Sequence, residues 1–134
     1  MVVERGSELV AELWAGPYPT ASSILSYPEG RAALAAARRG GRLTAAAGAR
    51  AFGDFESLQG ELSLIGIDAQ LAHQAGELAE RFALRGYDAV HLATALAIGE
   101  VITFVSWDRD LRRAATASGC AIAPPTERRP LEGR

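Results

Sequence analysis

The sequence predicts an α/β fold with a mainly parallel sheet, and three observations predict it. Short apolar or β-branched runs alternate with longer stretches whose apolar residues recur at helical spacing. Capping residues stand where strands give way to helices, namely Ser26, Asp68 and Asp108. Val101 to Val105 is the clearest strand, a continuous apolar and β-branched run of the kind buried on both faces. The 134 residues suit one domain over 1–125, with a polar, disordered tail over 126–134 after Pro124-Pro125.

In chain order, Ser7 to Ala15 reads as a short helix, capped by Ser7, with Leu9, Val10, Leu13 and Trp14 on one face. Gly16-Pro17-Tyr18-Pro19 ends it, and Thr20 to Leu25 is a short strand of weak propensity. Ser26 and Glu29 have capping-box spacing at the start of a helix that tolerates Pro28 in its first turn and stops at Gly40-Gly41. Leu43 to about Leu58 is helical, although weakened by Gly48 and Gly53, and Glu61 to Ile67 is a strand. Asp68 caps a helix to about Leu84 whose apolar stripe is Leu71, Ala75, Leu78, Ala79 and Phe82. Arg85-Gly86 breaks the chain, and Tyr87 or Asp88 opens a helix to Ile98. After the Val101–Val105 strand, Asp108 caps a helix through Ala117, and Cys120 to Ala123 is a last short strand.

Composition narrows the function classes. A net charge of −2 argues against a broad basic face for nucleic acid, but it permits an acidic pocket neutralised by metal ions. All 14 basic residues are arginine, so lysine-dependent phosphate-loop and Schiff-base chemistries are excluded. The single cysteine, Cys120, excludes an internal disulfide framework and a cysteine zinc site, and reads as a buried strand residue. No stretch reaches the roughly 18 consecutive apolar residues of a membrane helix, and the N-terminus carries no signal-peptide pattern, so a cytoplasmic protein is expected.

Ligands of open α/β sheets bind beyond the carboxyl ends of the strands. The acids expected there are Glu29, Asp88 and Asp108, with Asp110 behind them. Each also has a purely structural reading. Glu29 completes the capping box with Ser26, Asp88 complements the helix macrodipole, and Asp108 caps the next helix.

The spelling around these acids adds to that reading. Arg85-Gly86-Tyr87-Asp88-Ala89-Val90-His91-Leu92-Ala93 resembles the "YDAxHLA" helix start of PIN domains. Thr103-Phe104-Val105-Ser106-Trp107-Asp108-Arg109-Asp110-Leu111 is similar to the family's "FVTxDxxL" strand end, and Tyr27-Pro28-Glu29-Gly30-Arg31-Ala32-Ala33-Leu34 to its "YxExxxAL" segment. The three stand in the family's order and cover nearly the whole chain. The resemblance, to PIN-domain ribonucleases of the VapC toxin type, implies a three-layer α/β/α fold and a metal-dependent endoribonuclease.

In such proteins four acids converge on Mg2+ or Mn2+, hard ions that take oxygen ligands, lower the pKa of bound water and stabilise a leaving phosphodiester oxygen. Carried over by motif, Glu29, Asp88 and Asp108 would be the catalytic metal ligands. Asp110 would be a possible helper, although a helix turns it away from Asp108. Arg85 and Ser106 would be RNA or phosphate contacts, with a solvated arginine the plainer reading of Arg85. His91 reads as a packed or hydrogen-bonded helix residue rather than a catalytic one, and His73 as a surface or partly buried one. Trp107 is expected to cover the end of the sheet, with stacking on a base the alternative.

The partners implied are RNA, a cognate antitoxin and a second copy in a homodimer, with no membrane. The departure from the pattern lies at the N-terminus. Members of the family open with a strand ending in an Asp-x-Ser-Ala-Leu-like segment, whereas Met1 to Glu8 resembles the stretch that normally comes after the first helix. The expectation is therefore a first strand and first catalytic aspartate missing, through a start placed downstream of the natural one, a degraded gene, or a gap filled by rearrangement or another chain. Three acids in place of four predict weak or absent activity. The alternatives are a catalytically inactive PIN-like module that binds antitoxin or RNA, and an unrelated α/β domain whose acids are only helix caps.

Overall fold

A computed structural model describes residues 19–99 and 102–124. The helix expected over 7–15 and the tail over 126–134 lie outside the described residues, as does Val101. The elements run β1 (Ala21–Ser23), α1 (Ser26–Arg39), α2 (Ala45–Glu61), β2 (Ser63–Ile65), α3 (Ala69–Phe82), α4 (Gly86–Ala97), β3 (Thr103–Val105), α5 (Arg109–Ala117) and β4 (Ala121–Ala123).

Helix α1 begins differently from the capping-box expectation. Its N-cap is Leu25, with no side-chain cap, and Ser26 Oγ instead donates to Gln59 Oε1 at 3.3 Å. Glu29 is thereby free to face another element. Gly40 and Gly41 stop α1, and Thr44 caps α2 by accepting from Ala47 N at 3.1 Å. The two helices form an antiparallel hairpin: Tyr27 stacks on Phe55 with ring centroids 5.7 Å apart, while Arg38 lies against Gly48 at the other end. Gly30 permits this approach, because a Cβ there would stand 2.2 Å from Phe55 Cε2.

The strands are parallel, as expected, and each is three residues long. Strand β1 pairs with β2 in the register Ala21↔Ser63 to Ser23↔Ile65, and β3 pairs with β4 from Thr103↔Ala121 to Val105↔Ala123. Among the described residues these stand as two separate two-stranded sheets rather than one continuous sheet. A groove of about 520 Å³ runs between them, bordered by Ser22 and Ser23 of β1, by Thr103 and Val105 of β3, and by His91 and Thr94 of α4. Strand β3 is consequently not buried on both faces: Thr103 and Val105 are exposed, because that flank opens on the groove instead of on another strand.

The core lies around α4. Ala89 and Ala93 pack with Leu71 and Ala75 of α3, while Leu92 packs with Leu111, Ala114 and Ala115 of α5. Small side chains let these helices approach closely, and burial of their apolar area is the main stabilising term. The buried Thr94 hydroxyl donates to Val90 O at 2.7 Å, so its burial carries no unpaired donor. Helix α3 runs as expected from the Asp68 cap, whose Oδ1 accepts from Leu71 N at 2.8 Å. It closes at Ala83, which adopts φ 53 in the left-handed region. With α1 against α2, and α3 and α5 against α4, two groups of helices accompany the strands in an α/β/α arrangement.

Candidate functional site

Three of the expected acids owe their positions directly to how elements begin. Glu29 stands in the first turn of α1 beyond the end of β1, Asp88 in the first turn of α4, and Asp108 at the N-cap of α5 just beyond β3. Helix N-termini favour negative charge, so each position is electrostatically suited to a carboxylate.

The structure joins Glu29 to α4. Its Oε2 lies 2.8 Å from His91 Nε2, across 62 residues of sequence, with both side chains only partly exposed. His91 is one helical turn after Asp88 and also lines the groove between the two sheets. The hydrogen-bonded reading of His91 therefore holds, and its partner is one of the acids the motifs singled out. The signal for this pair was the position of His91 within the Tyr87–Ala93 spelling, which by itself names no partner.

Asp88 carries a long contact, 4.0 Å from Oδ2 to Arg85 Nε. Arg85 is 84% exposed, so the pair is solvent-screened and weak. Asp108 Oδ1 accepts from Leu111 N at 2.8 Å, so the capping expectation holds. The preceding turn is tightened by Ser106, whose Oγ accepts from Asp108 N at 3.1 Å. Arg112 holds that turn from behind, its guanidinium donating to Ser106 O at 2.8 Å and to Pro124 O. Sequence reasoning missed Arg112, because nothing in a helix-interior arginine marks the loop it returns to.

Asp110 is turned outward and pairs with Arg113 at 2.8 Å. His73 is a surface residue, 3.1 Å from Glu77. Trp107 differs from expectation: it is 52% exposed and does not close over the sheet's end. The Ser106-Trp107-Asp108 turn is held by the Ser106 hydroxyl and by Arg112, so the indole is not needed as a cover. Cys120 is half-buried against the Leu92–Leu111 cluster, and desolvation raises its thiol pKa above the usual value.

The donors are carboxylate oxygens, the type a hard divalent ion prefers. Their arrangement does not make a closed metal site: among the described residues no three His, Cys, Asp or Glu side chains converge closely enough to hold an ion. Glu29 and the start of α4 are brought together through His91, whereas Asp108 is joined to neither.

Comparison with known proteins gives a consistent picture. The PIN domain family matches residues 4–117. Ribonuclease VapC45 of Mycobacterium tuberculosis (strain CDC 1551 / Oshkosh) is 46% identical over 125 residues, which cover 92% of this chain and 87% of the relative. Ribonuclease VapC49 of Mycobacterium tuberculosis (strain ATCC 25618 / H37Rv) is likewise 46% identical over 125 residues, with the same coverage. No solved structure matches the chain.

Proposed function

The chain belongs to the PIN-domain family, and from that premise we propose that it is a VapC-type endoribonuclease that hydrolyses RNA phosphodiester bonds as the toxin of a toxin–antitoxin pair. The observation that carries this reading is the 46% identity, over 92% of the chain, to two proteins named as ribonucleases. The partners are RNA, a cognate antitoxin and a second copy of the chain, and the compartment is the cytoplasm. No described helix is long and apolar enough to cross a membrane.

In this reading Glu29, Asp88 and Asp108 are the catalytic acids and the ligands of Mg2+ or Mn2+. Glu29 is oriented by His91, and Asp108 by its cap to Leu111 N and by the Ser106 turn. Capping engages Oδ1 of Asp108, and Oδ2 has no protein partner among the described residues. Arg85, on the rim beside Asp88, and Ser106 contact the substrate's phosphates. Asp110 stands outside the set because Arg113 engages it. The acids must draw together to hold an ion, so affinity for the metal is weak and turnover slow.

One observation favours a second reading. Because no three donors converge among the described residues, the chain also fits a catalytically inactive PIN-like module that binds antitoxin or RNA.

The deciding experiment is cleavage of a mixed RNA pool by the purified chain with Mn2+, with EDTA, and with Asp88→Asn in place of the wild type. Slow cleavage that EDTA and the substitution both abolish supports the nuclease. Cleavage indifferent to both overturns the assigned site. Intact RNA in every lane, with RNA or antitoxin still bound, gives the inactive module precedence.

A further inference from the structure

Both chain neighbours of Asp108 line a second, shallow and open cleft, on the far side of α5 from the core. Its volume is about 580 Å³, and its lining is Trp107, Arg109, Arg112, Arg113, Thr116, Ala117 and Ile122. Three guanidinium groups border it and no carboxylate does. The chain as a whole carries a net charge of −2, so this is a local concentration of positive charge on an acidic protein. The arginines are not equivalent. Arg112 is committed to main-chain carbonyls, and Arg113 shares its charge with Asp110. Arg109 has no hydrogen-bond or ion-pair partner among the described residues. At the head of the cleft the Trp107 indole is 52% exposed, although tryptophan is normally among the more buried side chains.

We infer that this cleft is a subsite for single-stranded RNA, in which Trp107 stacks on a base and Arg109, aided by Arg113, takes the adjoining phosphates. The chemistry is general: every base has a π-face, an exposed indole offers a stacking platform, and arginine forks match phosphate oxygens. Arg112 serves this subsite indirectly by pinning the turn that carries Trp107. Trp107 directly precedes Asp108, so the subsite adjoins in sequence the acid assigned to catalysis. The inference rests on the RNA-cleaving reading and goes further, naming where a flanking nucleotide is held.

The test reads binding without cleavage. The chain has two tryptophans, so Trp14→Phe leaves Trp107 as the only indole. In EDTA, a fluorescently labelled single-stranded RNA 12-mer, a length of roughly one short protein site, is titrated against this variant and against Trp107→Ala, Trp107→Phe and Arg109→Ala in the full chain. The expected results are quenching of the indole, about tenfold weaker binding for Trp107→Ala, and near-retention for Trp107→Phe. Arg109→Ala should lower the slope of log affinity against log salt by about 0.7, the loss of one phosphate contact on a single strand. Far-UV circular dichroism confirms that the variants are folded; Trp107 and Arg109 are both exposed, so their replacement removes no core packing. Equal RNA binding by wild type and Trp107→Ala, without quenching, overturns the subsite and leaves the ribonuclease reading standing. A wild-type chain that neither binds nor cuts RNA overturns both. Quenching by poly-glutamate but not by RNA assigns the cleft to an acidic protein segment and also overturns the inference.

Discussion

Asp68 and Asp108 begin their helices in the same way, each accepting the N–H three residues on at 2.8 Å. Both also follow a strand end by three residues, and what separates them is that Asp108 stands between two residues that line a charged cleft. Two substitutions divide its structural role from its chemical one. Asp108→Asn keeps a side-chain oxygen for the cap and should change stability by only a few tenths of a kcal/mol, whereas Asp108→Ala should cost about 1 kcal/mol. Both remove the carboxylate, so RNA cleavage should be lost equally in the two. Urea melts and the cleavage assay read the two effects separately. Retained cleavage in Asp108→Asn would mean that the residue is a cap and nothing more. Glu29 shows the same logic from the opposite side. Its expected structural duty, the capping box with Ser26, is absent, and its carboxylate is spent on His91.

Among the elements, the α1–α2 hairpin and the end of α3 are the places where backbone geometry constrains sequence most. Gly30 sits beneath the Phe55 ring, so Gly30→Ala forces that ring aside, an overpacking cost of roughly 1–3 kcal/mol. It also disturbs the turn that presents Glu29, the adjacent residue. Ala83 is the reverse case. It holds φ 53, a conformation that costs L-residues about 1–2 kcal/mol. Part of any gain from glycine is returned as unfolded-state entropy, so Ala83→Gly should stabilise by roughly 0.5–1 kcal/mol. Thermal and chemical melts of the two variants should therefore move in opposite directions. Movement in the same direction would contradict the described backbone at one of the two positions.

At the scale of the whole molecule, α4 is the member on which α3, α5 and β1 converge. It packs on α3 through Ala89 and Ala93, packs on α5 through Leu92, and floors the groove between the two strand pairs. Leu92 is fully buried, and Leu92→Ala should cost about 2–5 kcal/mol. The three-residue strands, in two separate pairs, add little compensating burial. The variant should accordingly lose cooperative unfolding, and a cost below about 1 kcal/mol would show that α4 is not the centre of the core. Both regions proposed to handle RNA connect to this helix through a neighbouring element. Glu29 reaches it through His91, and the Trp107 cleft lies on the outer side of α5.

The sequence by itself determined the order and type of the described elements, the caps at Asp68 and Asp108, the parallel pairing and the family. These depend on short-range physics, namely apolar periodicity, cap geometry and motif spelling, which a stretch of a dozen residues carries within itself. Strand lengths were less legible: Glu61–Ile67 shortened to Ser63–Ile65, because a strand extends only as far as its partner does. Only the tertiary structure decided that Glu29 binds His91 rather than Ser26, that β3 is open on one flank, that Trp107 is exposed and that Arg112 secures the Asp108 turn. Each of these is a contact or an exposure set by how the helices pack. The Glu29–His91 pair spans 62 residues, and no local pattern encodes which distant side chain will arrive at hydrogen-bonding distance.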